Sequence, residues 1–312
     1  MSSLTRRENL QRRAQLLKET RRFFDERGFL EVETPLVSAE VIPELHIEPR
    51  GLADGNYFLQ ASPELHMKRL LCEEFESIYQ VTRSFRGHES GRLHSPEFTI
   101  VEWYRVGEAM NEGIGLLDQF LQTVAGTAPA KRTSYQEAFQ KELNLDPHTA
   151  SCDELADKAS EKRLAVPDDL KRDDRDEWLN LLLSFCIEPT LGNEVPEILY
   201  DYPQSQAALA KVKLLEDETP VARRFELYWR GVELANGYDE LTDAVELRER
   251  LLLINGQRES EGRPALPLPE SLFEVMSEPG LPPCSGCALG FDRLAMLVCG
   301  CDSIGEVRSF PS

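Results

Sequence analysis

The chain has 312 residues, 41% of them apolar and 29% charged, with 55 acids against 35 bases and a formal net charge of −20. This is the composition of an ordinary globular protein with a substantial core. No apolar run reaches the ~20 residues of a membrane span, the Met-Ser-Ser-Leu-Thr-Arg-Arg start lacks the apolar stretch of a secretory signal, and the acidity works against general nucleic-acid binding without excluding a buried small-anion site.

Residues 5–27 read as an amphipathic helix with Leu10, Ala14, Leu17 and Phe24 on one face, and Gly28 just past its end. Phe29 to Glu33 alternates like a half-buried strand and stops at Thr34-Pro35; Tyr57 to Gln60 is a second short strand. Ser62-Pro63-Glu64 opens a helix that runs from Leu65 to Leu71. Ser77 to Phe85 and Phe98 to Tyr104 are β-rich arms of one antiparallel hairpin, with a polar loop between them. Residues 110–220 carry capping boxes at Ser134/Glu137 and Ser151/Glu154 and an apolar helix from Trp178 to Cys186, which predicts a mostly helical insertion. Arg224 to Ala235 returns to strand character, Asp243 and Glu246 start a charged helix to about Glu261, and Cys287 to Gly290 is a strand leading into a C-terminal helix.

This order predicts an α+β fold, a mainly antiparallel sheet flanked by helices. No Walker loop and no Gly-x-Gly-x-x-Gly follows a strand, so a nucleotide has to be held by side chains. The seven cysteines, an odd number without an export signal, are expected as reduced thiols. Cys284, Cys287, Cys299 and Cys301 have a zinc-like spacing, but the helix between the pairs separates them by ~10 Å, too far for one ion.

Three stretches carry chemistry. In the hairpin, Arg86 offers a planar fork of donors suited to a phosphate, Arg92 and His94 lie in the loop, and Phe98 presents a flat face for a base. In Gly231 to Glu240, Glu233 and Glu240 are seven residues apart; if the strand turns at Gly237, both face one cavity, where Mg²⁺ takes one or two carboxylates plus phosphates. In Gly286 to Arg293, small residues admit a ligand to the backbone, and Arg293 lies in the first turn of a helix whose N-terminus favours anions. Asp292 is placed to orient a neighbouring arginine.

Together these stretches resemble the three signature motifs of class II aminoacyl-tRNA synthetases, in particular the lysine subgroup. Arg12 to Pro35 resembles the helix–strand–Pro dimerisation motif, Phe85-Arg86 to Glu97-Phe98 the second motif, and Gly290 to Arg293 the third; Glu-Leu-Ala-Asn-Gly-Tyr-Asp-Glu-Leu-Thr-Asp is similar to the lysyl enzymes' metal and amino-acid segment. The first motif begins almost at once, so an anticodon-binding domain is expected to be absent and residues 1–312 to form one catalytic domain, with the insertion at about 110–220. Within the class the chain is similar to the truncated ligases that attach lysine or (R)-β-lysine to a lysine of elongation factor P, including Ser-Pro-Glu-Leu-His-Met-Lys-Arg-Leu-Leu and Gln-Ala-Ala-Leu-Ala.

The resemblance implies ATP and Mg²⁺ as cofactors, elongation factor P as acceptor, a homodimer, a cytoplasmic location, and neither tRNA nor membrane as partner. It implies catalytic roles for Arg86 and Arg293, with nucleotide contacts from His88, His94, Ser95, Phe98, Glu233, Leu234 and Gly290 as well. Ser62, Glu64, Tyr104, Asn236, Glu240 and Ala288 would bind the amino acid, and Glu233 with Glu240 the metal. Lysyl synthetases have glycine where this chain has Ala288; the extra methyl crowds an α-amino group and favours β-lysine. Arg86-Gly87-His88 and Ser95 stand where the family has Arg-Asn-Glu and a later Asn. Two rival readings therefore stay open, a minimal lysine–tRNA ligase and a non-catalytic paralogue.

Overall fold

The computed structural model describes residues 5–53, 55–87 and 89–310. The N-terminal half contains α1 (Arg6–Asp25), β1 (Leu30–Glu31), β2 (Val37–Ser38), β3 (Arg50–Gly51), β4 (Phe58–Leu59), α2 (Glu64–Cys72), β5 (Ser77–Phe85), β6 (Glu97–Val106) and α3 (Met110–Val124). Next come β7 (Lys131–Ser134), α4 (Tyr135–Leu143), α5 (Cys152–Glu161), α6 (Arg175–Leu182), β8 (Glu197–Pro203) and β9 (Val212–Leu214). The chain ends with β10 (Pro220–Trp229), β11 (Val232–Asp239), α7 (Ala244–Ser260), α8 (Glu270–Val275), β12 (Cys284–Gly290) and α9 (Phe291–Cys299).

Nine of these strands form one mixed sheet, ordered β1-β5-β6-β12-β11-β10-β8-β7, with β9 also on β10. β1–β5 and β7–β8 are parallel pairs; the other ladders of this sheet are antiparallel. β2, β4 and β3 make a separate small sheet. Strand alternation divides the sheet's two faces. Val101, Trp103, Cys287, Leu289 and Phe225 point into a core shared with α1, α3 and α9, where Phe24 stacks on Tyr79 at 4.6 Å between centroids. Burying each such aromatic contributes roughly 1.5–3 kcal/mol. The opposite face carries Phe98, Glu102, Ala288, Asn236 and Glu226, and it is there that a cavity opens.

Four expectations need correction. α1 does not bury the Leu10–Ala14–Leu17 stripe: its buried residues are Asn9, Leu16, Thr20, Phe23 and Phe24. Polar groups can face inward because they meet partners there; Asn9 Nδ2 donates to Cys301 Sγ (3.2 Å) and the Glu306 carbonyl (3.3 Å), and Arg13 pairs with Asp292 at 2.6 Å. The 224–235 segment is strand as expected but not throughout: it is the β10–β11 hairpin, turning at Arg230 and Gly231, both at positive φ (53° and 68°). Gly237 lies inside β11 and is not a turn. The 110–220 region is less helical than expected, since β7, β8 and β9 add three strands to the main sheet and α3 packs under it. Its helices α4, α5 and α6 do cluster around Tyr135, Phe139 and Trp178, with both expected capping boxes formed. Cys284 and Cys287 fall on opposite sides of β12, in different cores, so their paired spacing does not make a shared ligand set.

Candidate active site

The cavity has a volume of about 1380 Å³ and is floored by the central strands. Its floor is laid out in cross-strand rows. One row runs Gln80–Glu102–Ala288–Asn236–Glu226 across β5, β6, β12, β11 and β10; the next runs Ile78–Tyr104–Gly286–Tyr238–Arg224. Glu233 and Glu240, seven apart, would fall on opposite faces of a regular strand. A bulge opposite Leu227/Tyr228 inserts an extra residue at Leu234/Ala235 and rephases β11, so that Glu233 joins Asn236, Tyr238 and Glu240 on the cavity side.

One end of the cavity is cationic. Arg293 is fully braced: Nε donates to the Leu93 carbonyl (3.2 Å), Nη1 to the Glu233 carbonyl (2.9 Å) and Glu233 Oε2 (3.3 Å), and Nη2 to His94 Nε2 (2.7 Å). Because arginine only donates, His94 accepts at Nε2. Burial, and then the Arg293 charge, hold its pKa below the ordinary value. His94 is thus a neutral support for Arg293 rather than a second phosphate-binding cation. Arg86 is the opposite case. Its guanidinium lies 5.0 Å over the Phe98 ring; among the described residues its one ion pair is a loose 3.7 Å contact with Glu89, and buried Nε has no partner. Ser95 Oγ accepts from Arg308 at 2.5 Å. A Cβ built on Gly290 would meet the Arg293 side chain and the Leu234 carbonyl only at ordinary distances of 3.7–3.9 Å, so the protein's own packing does not demand glycine there. The gap it leaves admits a ligand to the backbone. His88 lies outside the described residues.

The other end is anionic. Lys68, 1% exposed, is clamped between Glu64 (2.5 Å) and Glu240 (2.7 Å). Burial works against its charge, but Glu240 and Glu64 outweigh it and hold its pKa well above the lysine range. Glu102 takes hydrogen bonds from Ser62 Oγ and the Tyr104 hydroxyl, both at 2.7 Å. Burial, then the nearby Glu64 charge, push its carboxyl up to about 8, with the two hydrogen bonds opposing. Asn236 is fixed by Arg224 Nε (3.3 Å) and by its own donation to the Tyr238 hydroxyl (2.7 Å). Gly286 must be glycine: a Cβ would lie 2.2 Å from Glu240 Oε1 and 2.3 Å from Tyr104.

The two acids of the proposed metal pair each have another partner here: Glu240, 1% exposed, is held by Lys68, and Glu233 pairs with Arg293. Glu233 instead faces Glu226; burial, then that neighbouring charge, raise its pKa despite Arg293 and Arg86. Among the described residues, no group of three or more His, Cys, Asp or Glu is arranged to hold a metal by itself. Sequence reasoning also missed Glu102, Lys68, Arg224 and Glu226. Period-two counting from Phe98 and Tyr104 puts Glu102 on the cavity face, which is the signal that finds it; Lys68 is found only through its tertiary partners.

Residues 1–312 match the family model for tRNA synthetases class II (D, K and N). The chain belongs to this family. Its rows of functional side chains lie on the central antiparallel strands of a class II synthetase sheet. The proteins named elongation factor P–(R)-β-lysine ligase from Salmonella dublin, Salmonella paratyphi B and Salmonella heidelberg are each 43% identical to the chain over 310 residues, 97% of this chain and 94% of theirs. No helix among the described residues is long and apolar enough to cross a membrane.

Proposed function

We propose that the protein activates (R)-β-lysine with ATP as an acyl-adenylate and transfers it to a lysine side chain of elongation factor P, forming an amide, with residues 1–312 acting as a single catalytic unit. The observation that carries this is the polarity of one cavity: Arg86 and Arg293 line one end and Glu64 the other, where buried Glu102 and Glu240 lie behind the lining, tied to Ser62 and to the Glu64–Lys68 pair. That is the charge pattern for a triphosphate joined to a dicationic amino acid. The high identity to relatives bearing that name supports the choice of substrate and acceptor.

In this reading the amino-acid carboxylate attacks the α-phosphorus and pyrophosphate leaves. Alignment and fixed charge do most of the work in such a site. Arg86 bridges the carboxylate and α-phosphate with its free donors. Arg293, held rigid by Glu233, His94 and the Leu93 carbonyl, takes the outer phosphates. Phe98 supports the base, and the backbone at Leu234 and Gly290 follows the nucleotide. Glu226 and Glu233 crowd negative charge beside the triphosphate end, which fits Mg²⁺ held by Glu233 together with phosphate oxygens. The ion would neutralise the triphosphate. Glu64 and Glu102 receive the substrate's ammonium groups, with Glu240 and Tyr104 behind them, and Asn236 orients the carboxylate. A homodimer, as the family resemblance implies, completes the proposal.

The deciding experiment is mass spectrometry of elongation factor P after incubation with the protein, ATP and each lysine isomer. The expected product is heavier by one β-lysyl residue. Charging of tRNA at matching rates would favour a minimal tRNA ligase, and the absence of amino-acid-dependent pyrophosphate exchange a non-catalytic paralogue. Ala288 lies between Glu102 and Asn236 in its row, where its methyl touches the amino-acid end. Ala288→Gly is expected to shift the kcat/KM ratio toward α-lysine by roughly fivefold or more; an unchanged ratio counts against the methyl argument.

A proton should also leave on substrate binding. Glu102, raised to about 8, is largely neutral at pH 7 and must ionise to pair an ammonium. Binding then releases a proton, and affinity rises as pH climbs toward 8. Calorimetric titration in phosphate and in Tris will show heats that differ by buffer ionisation, and Glu102→Gln will remove the difference. Equal wild-type heats would contradict this assignment.

A further inference from the structure

The reading above leaves one chemical demand unmet. The acceptor lysine is an ammonium at neutral pH and must lose a proton before it attacks. The loop over residues 40–48 supplies a carboxyl for this. Buried Arg258, at the end of α7, donates to the Glu44 carbonyl (3.2 Å) and pairs with Glu48 (2.9 Å). Arg263 donates to the Leu45 carbonyl (2.6 Å), and the Gly87 amide, next to Arg86, donates to the Glu48 carbonyl (2.6 Å). On the far side His46 approaches Glu177, just inside α6, at 3.6 Å. The loop is thus tied to three elements and forms the cavity wall with the Glu44 side chain in its lining.

Glu44 differs from the other lining acids that are not exposed to solvent. Glu64 is paired with Lys68, Glu233 with Arg293, and Asp292 with Arg13; Glu226 takes both the Tyr202 and Tyr228 hydroxyls at 2.6 Å, and Glu188 the Tyr228 hydroxyl at 3.3 Å. The Glu44 carboxyl has no hydrogen bond and no ion pair among the described residues. The charges that face it are Arg86 and Glu89 from the hairpin, Glu64 from α2 and Arg224 from β10, with the Tyr238 phenol of β11. Glu48 and His46 share its loop. It therefore lies within reach of the charges of both Arg86, which the proposal puts at the acyl phosphate, and Glu64, which it puts at the amino-acid end.

We propose that Glu44 is the proton acceptor for the transfer half-reaction: its carboxylate meets the incoming acceptor ammonium and takes one proton. The neutral nitrogen then attacks the acyl carbonyl carbon. The new C–N bond forms, the C–O bond to the phosphate breaks, and AMP leaves with that electron pair. The second N–H proton passes to solvent as the tetrahedral centre collapses, and Glu44 returns its own proton to water after product leaves. Burial, opposed next by Arg86, raises the Glu44 carboxyl to about 7, a basicity suited to this exchange near neutral pH.

The inference rests on the ligase reading, and the test separates the two. Wild type and Glu44→Gln are compared in three assays: β-lysine-dependent pyrophosphate exchange, transfer of the adenylate to elongation factor P, and its trapping by hydroxylamine, which is already neutral at pH 7. The expected result is exchange and trapping within about twofold of wild type and transfer lowered by about a hundredfold. Glu44→Asp should recover part of it. Wild-type transfer should rise with pH through about 7, and in the Gln variant that step should move up toward the acceptor lysine's own ionisation. Equal transfer rates would overturn the role of Glu44, as would a raised KM for β-lysine in exchange, which would make it a substrate-binding group. A wild-type protein without exchange would instead overturn the ligase reading.

Discussion

Arg86→Ala is expected to lower kcat/KM for β-lysine-dependent pyrophosphate exchange by about a thousandfold, the loss seen when one donor to a developing charge is removed. The fold gives this residue a particular standing. Arg293 spends four of its five N–H donors on Leu93, Glu233 and His94, whereas among the described residues Arg86 has only Glu89 at 3.7 Å and the face of Phe98, with Nε unpartnered. The protein has little structural need of the Arg86 head group, so the folded state should tolerate its loss while chemistry does not. Arg86→Lys keeps the charge but not the planar fork, and should recover only part of the rate. Thermal unfolding and exchange kinetics measured together decide the matter. A variant that exchanges within tenfold of wild type would remove Arg86 from the reaction centre.

The second large effect is on stability. Lys68→Met is expected to destabilise the protein by about 3–5 kcal/mol at pH 8, since it leaves buried Glu240 and its neighbours without their cation. A Tm fall of roughly 5–8 °C should accompany this in a chain of 312 residues. The penalty should shrink on acidification: burial raises the Glu240 pKa against the opposing pull of Lys68, so without Lys68 that carboxyl takes up a proton more readily as pH falls. Removing both partners, as in Lys68→Met with Glu240→Gln, should recover much of the loss, because no uncompensated charge then stays buried. A Tm change below about 2 °C in the single variant would show that the clamp contributes little.

The contrast between Arg86 and Lys68 also marks what could be read without coordinates. Local patterns sufficed for α1, the β5–β6 hairpin, the capping boxes of α4 and α5, and the β12–α9 unit, because alternation, capping and breaker residues act within a few positions. They also singled out Arg86, Phe98, Glu233 and Arg293, which the fold places around one cavity. Strand character was legible across 224–235, but not the turn at Arg230 and Gly231, and Gly237 offered a turn instead, because a hairpin turn and a bulge are settled by pairing with neighbouring strands. The same bulge decides which acids share a face.

What the sequence alone determined is the class of fold and the chemical vocabulary of the cavity: arginines, carboxylates, and a strand of small residues beneath them. Only the tertiary structure decided the partnerships. It gave Glu240 to Lys68 and Glu233 to Arg293, turned His94 into a support for Arg293, set Glu102 against Ser62 and Tyr104, and brought Glu44 into the cavity lining. Charge and hydrogen bonding act over a few ångströms between residues as many as two hundred positions apart in sequence. Each group's protonation and availability are therefore properties of the packed sheet and its covering loop, which no local pattern contains.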